Sequence, residues 1–83
     1  MPIRVKVLYF GQARDAAGTS GEEMSVPNST SVASVVSRSM AAHQRLQKLS
    51  GAMRIAVNEE ISGDGQRLAD GDVVAFLPPV AGG

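Results

Sequence analysis

The chain has 83 residues, 43% of them hydrophobic, with eight Lys or Arg balanced by eight Asp or Glu and no Cys. That length supports one domain; disulfide staples are excluded, a single His makes a structural zinc site untenable, and balanced charge excludes a broad nucleic-acid footprint. No apolar run approaches the ~20 residues of a membrane span, and MPIRVKVLYF interleaves charge with apolar residues unlike a signal peptide, so a soluble cytoplasmic protein is expected.

Residues 3–10 predict a strand with Ile3, Val5, Val7 and Tyr9 on one face and Arg4, Lys6, Leu8 and Phe10 on the other. The second face begins charged and ends apolar. Residues 12–18 predict a turn of helix, and Gly18 to Gly21 a turn. Glu22 to Val26 reads as a short second strand ended by Pro27. Asn28-Ser29-Thr30-Ser31 supplies helix-capping side chains, and Val32, Val35, Val36, Met40, His43 and Leu46 follow at helical spacing. One helix from about Ser31 to about Lys48 is predicted. Met53 to Val57 forms a third strand, Asn58 a turn, and Ile61 stands alone among polar residues. Asp70-Gly71-Asp72 turns the chain into Val73–Leu77, a final apolar strand that Pro78-Pro79 must end, since proline cannot donate to a ladder.

This order predicts an α+β fold, a mixed sheet with one main helix packed across it, in a ubiquitin-like β-grasp arrangement. Residues 1–77 form the domain and 78–83 an extended, flexible tail. The expected larger core residues are Leu8, Leu46, Leu49, Ile55, Leu68 and Phe76. Charge is uneven along the chain: residues 1–50 hold six Lys or Arg against three Asp or Glu, and residues 51–83 two against five. Solvated turns account for most of that imbalance.

The tail carries the chemistry. Pro78 and Pro79 favour a stiff polyproline course away from the sheet. Val80 and Ala81 are small apolar grips. Gly82 and Gly83 lack side chains and so fit a channel too narrow for other residues, ending in an unencumbered carboxylate. A Gly-rich chain end is ordinarily just disordered. The stiff Pro-Pro placed before it is what points to function.

Elsewhere the chain offers little catalytic equipment. There is no Walker-type phosphate loop and no Cys nucleophile. His43 is a lone His and reads as structural. Glu22-Glu23 and Glu59-Glu60 are adjacent pairs that do not make an acid/base dyad, because strand neighbours point to opposite faces. Gly63-Asp64-Gly65 and Asp70-Gly71-Asp72 lack calcium-loop spacing. Around the root of the tail, Phe10 and Leu77 are expected on the surface and Leu8 in the core, with Ile61 divided between the two.

The segment Asp70-Gly71-Asp72-Val73-Val74-Ala75-Phe76-Leu77-Pro78-Pro79-Val80-Ala81-Gly82-Gly83 resembles the C-terminal signature of the small subunit of molybdopterin synthase, the MoaD-like family. Lys6 to Arg14 resembles that family's first strand and following turn, and Ala56-Val57-Asn58 its third strand. The resemblance implies a sulfur carrier with no cofactor of its own and no catalytic machinery of its own. An E1-like enzyme would adenylate the Gly83 carboxylate with ATP, and sulfur from a persulfide donor enzyme would displace AMP to leave a thiocarboxylate. Pro78, Pro79, Val80, Ala81 and Gly82 would thread the tail into a large subunit, where sulfur passes to a cyclic pyranopterin. Phe10, Ile61 and Leu77 match positions of partner contact. Two small and two large subunits are implied, with no nucleic acid or membrane. A carrier for thiamine or another metabolite, and a ubiquitin-like protein modifier, are the alternative expectations.

Overall fold

The computed structural model describes residues 1–49, 51, 53–63 and 65–78. Strand β1 (Pro2–Tyr9) leads into a short helix α1 (Gly11–Ala17), followed by β2 (Gly21–Pro27). Helix α2 (Val32–Ala42) continues into a 3-10 helix (Gln44–Leu49), and β3 (Arg54–Val57), β4 (Glu60–Ile61) and β5 (Val73–Leu77) complete the chain. The sheet order is β2-β1-β5-β3-β4, the β-grasp arrangement. β1 and β5 pair in parallel at its centre and every other pairing is antiparallel.

The alternation along each strand decides which face is covered. Val5, Val7 and Tyr9 of β1 and Val74 and Phe76 of β5 point under the helices and are buried, as are Val26, Val32, Val35, Leu46 and Leu68. Each such side chain contributes about 1.5–3 kcal/mol on leaving water, so this one layer supplies most of the driving force. Of the expected larger core residues, Leu46, Leu68 and Phe76 are buried, whereas Leu49 and Ile55 are half-buried. Leu8 departs from expectation. It is half-buried on the opposite, uncovered face, because its parity in β1 is that of Lys6 and Phe10.

The helix differs from the predicted single span. Ser31 caps α2 as expected, accepting from the Ser34 amide at 3.2 Å. At His43 the backbone turns to φ −129°, ψ 86°, the α-helix ends, and the chain tightens into the 3-10 helix. The sequence retains helical spacing past this point, and the break coincides with the residue whose ring reaches Glu22 on β2. Ile61 is not isolated: it lies in β4, joined to β3 by a two-residue turn in which Asn58 (φ 50°) and Glu59 (φ 73°) are both left-handed. That is the hairpin geometry whose twist matches the strands.

Candidate docking face and tail root

Register pairing gathers the apolar residues of the uncovered face. Leu8 lies beside Ala75, Ala75 beside Ala56, and Ala56 beside Ile61, so four strands contribute to one row. Phe10, Val73 and Leu77 extend it to form a shallow concavity of about 510 Å³. Phe10 is 46% exposed and Ile61 60%, while Leu77 is half-buried. The structure thus brings Phe10, Ile61 and Leu77 to one surface, and adds Leu8 to it. Burying such a patch against another protein is favourable, whereas leaving it in water is not.

The concavity is framed by a braced turn. Asn58 donates from Nδ2 to Asp72 at 3.0 Å and accepts from the Val73 amide at 3.0 Å, and its own amide donates to the Val73 carbonyl. Asp72 also accepts from the Ala69 amide at 2.8 Å. These bonds hold the β3–β4 turn to the start of β5, which fixes the lower rim where Glu59 stands.

The tail leaves from the opposite end. The Phe10 amide donates to the Phe76 carbonyl at 3.2 Å, carrying the β1–β5 pairing to the last turn of the sheet. Gly11 then adopts φ +52°, and a β-carbon there would meet Pro78 Cγ at 2.8 Å. Pro78 therefore packs directly on the bare backbone of the β1–α1 junction, and the tail starts from a defined seat beside Phe10 and Leu77. The sequence-predicted tail residues Pro79, Val80, Ala81, Gly82 and Gly83 lie outside the described residues.

A polar cluster missed from the sequence braces the covered side of the same strand end. Tyr9 donates its hydroxyl to Glu22 Oε2 at 2.6 Å, and His43 Nε2 meets the same oxygen at 2.6 Å. Against an ionised carboxylate the ring nitrogen is the donor. The Tyr9 ring packs edge-on against His43 and tilted against Phe76, with centroids 5.5 and 5.2 Å apart. Burial pushes the Tyr9 phenol well above its ordinary value, and its bond to Glu22 pushes the same way. Burial alone would raise Glu22, but the hydrogen bonds from Tyr9 and His43, with the attraction of His43, hold it below the usual carboxylate range. The buried Ser39 hydroxyl has no hydrogen-bond partner among the described residues. One sequence signal pointed here: Glu22 shares strand parity with Met24 and Val26, which places a carboxylate on the inward face of β2.

Among the described residues no cluster of three or more His, Cys, Asp or Glu is placed to hold a metal ion, and no helix is long and apolar enough to cross a membrane. The arrangement presents a seated Pro78 and an apolar face, with the polar cluster turned away from both.

Comparison with known proteins agrees with this architecture. The model of the ThiS family matches residues 7–83. The chain belongs to the ThiS family. A relative from Mycobacterium tuberculosis, a molybdopterin synthase sulfur carrier subunit, is 43% identical over 82 residues, covering 98% of this chain and 99% of that one. The corresponding subunit of Escherichia coli is 38% identical, covering 95% and 99%. Among solved structures, a chain in the complex of subunits 1 and 2 of the molybdopterin-converting factor of Helicobacter pylori superposes with a TM-score of 0.71 at 26% identity, covering 98% of this chain and all of that one. The family resemblance therefore runs the full length of the domain, through both the sheet face and the root of the tail.

Proposed function

We propose that this ThiS-family chain is the sulfur carrier subunit of a molybdopterin synthase. The observation that carries the reading is the seat of Pro78 on Gly11, which starts the Pro-Pro to Gly-Gly tail beside an exposed apolar face. The full-length similarity to sulfur carrier subunits supports it. A carboxylate is a poor electrophile, so the Gly83 terminus needs activation. An E1-like partner joins it to AMP using ATP with release of pyrophosphate. The terminal sulfur of a donor enzyme's persulfide displaces AMP to give an acyl disulfide, and a protein thiol reduces that bond, leaving the thiocarboxylate and a disulfide on the partner. The chain is then a reactant carried on a protein, and catalysis belongs to its partners. Its own contribution is positional: the face of Phe10, Ile61 and Leu77 docks a large subunit, and Pro78 aims the tail into that subunit's pterin pocket. The similarity to a chain of the two-subunit Helicobacter pylori complex supports such a partner. Two small and two large subunits working in the cytoplasm complete the proposal.

The test is mass spectrometry of the chain purified from its native host, together with recovery of the large subunit. A fraction heavier by the exchange of one oxygen for sulfur, copurifying with a pterin-binding large subunit, is expected. Recovery only as carboxylate, or joined through Gly83 to lysines of other proteins, would overturn the carrier reading. Thiocarboxylate made without any such subunit would redirect it to another sulfur pathway.

A further inference from the structure

The uncovered sheet face is apolar at its centre, and its charges are arranged in a way that the chain does not itself use. Lys6 is opposite Glu23 in register on the neighbouring strand, which places an opposite charge beside it without an ion pair at contact distance. Arg54, in register with Leu77, stands on the face at the tail end. Glu59 lines the concavity at the other end, in the turn that follows β3. Both are exposed, and among the described residues neither makes an ion pair. Between them the floor is made of Ala56 and Ala75, which rise little above the backbone and permit close approach of a second sheet.

We propose that, without a protein partner, this face closes on the same face of a second copy, Arg54 of each chain pairing with Glu59 of the other. A two-fold axis lying between the faces and running across the strands reverses strand direction, so it brings the Arg54 end of one sheet over the Glu59 end of its mate. Both ion pairs form at once, because a two-fold contact repeats every interaction. Sheets packed face to face stand about 10 Å apart, a gap that Leu8, Phe10, Ile61 and Leu77 of both copies fill above the alanine floor. One narrow sheet face is at the small end of protein interfaces, so the dimer is concentration-dependent and gives way to a better-fitting partner. Self-pairing thereby shields the apolar patch while the carrier is alone. The inference concerns the isolated chain and does not depend on the proposed function.

Sedimentation velocity of the purified chain over a wide concentration range at low salt tests it. The mean mass should rise from that of one chain towards that of two, and less steeply as salt is added. Arg54→Glu and Glu59→Arg should each weaken association by about tenfold or more, as like charges then meet across the contact. The double variant should recover the wild-type behaviour, which also shows that each substitution is compatible with the fold. A chain that stays monomeric throughout would overturn the proposal. So would a dimer indifferent to the single reversals, or a double variant that does not recover.

Discussion

Pro78 occupies the space that a side chain on Gly11 would need: a β-carbon built on Gly11 stands 2.8 Å from Pro78 Cγ. The backbone of Gly11 is also left-handed, at φ +52°, so position 11 joins a conformational demand to a steric one. Gly11→Val is expected to cost roughly 1–3 kcal/mol, because a β-branched residue is strained there and displaces the proline. Urea unfolding measures the loss. Sulfur transfer should fall further than the unfolded fraction explains, since the tail no longer starts from its seat.

Among the described residues, Phe10 and Ile61 are the most exposed large apolar side chains after Met1, so replacing them separates docking from folding. Phe10→Asp and Ile61→Asp should change stability by less than about 0.5 kcal/mol, as surface substitutions usually do. Binding to the large subunit, followed by calorimetry, should weaken by about tenfold or more, because a buried carboxylate would lack a partner. Unchanged affinity in both variants would remove the open face from the interaction.

The Tyr9–Glu22–His43 cluster predicts a dependence on acid. Glu22 binds its proton less tightly when folded than when unfolded. Its stabilising contribution is therefore fully present above the ordinary carboxylate value and is lost as pH falls through the lower folded value. Glu22→Gln should be less stable than wild type by about 1–2 kcal/mol near neutrality, the scale of a charge-assisted hydrogen bond discounted for partial exposure. The two curves should converge in acid. Parallel curves would show that the carboxylate charge is not what holds the cluster.

Removing Gly83, or adding one residue after it, should abolish sulfur transfer while leaving the thermal midpoint within about one degree, because Gly83 has no side chain to bury and chain ends tolerate change. A large fall in the midpoint would assign the terminus a structural role instead.

Much of this architecture was legible in the sequence, for reasons that the elements themselves supply. β5 was read to the residue because an apolar run bounded by Asp72 and Pro78 leaves no ambiguity. β1 was legible from its alternation, which also put Phe10 on the open face. What could not be read depends on contacts made at a distance. The end of α2 at His43 coincides with a bond to Glu22, 21 residues away, and local spacing carries no trace of that contact. Leu8 was misplaced because its hydrophobicity was weighed above its parity. β4 is two residues long, too short for any period, so Ile61 gained its place only from pairing with Ala56.

The parallel pairing of β1 with β5 sets when this molecule becomes useful. Lys6 lies opposite Val73, so the central pairing of the sheet must close a loop spanning most of the chain. Contacts so distant along the chain form late and slowly, because the entropy of closure is spent before they repay it. The strand that completes the core is also the strand that bears the tail. Folding and presentation are consequently one event: an intermediate lacking β5 has neither a finished core nor a seated Pro78.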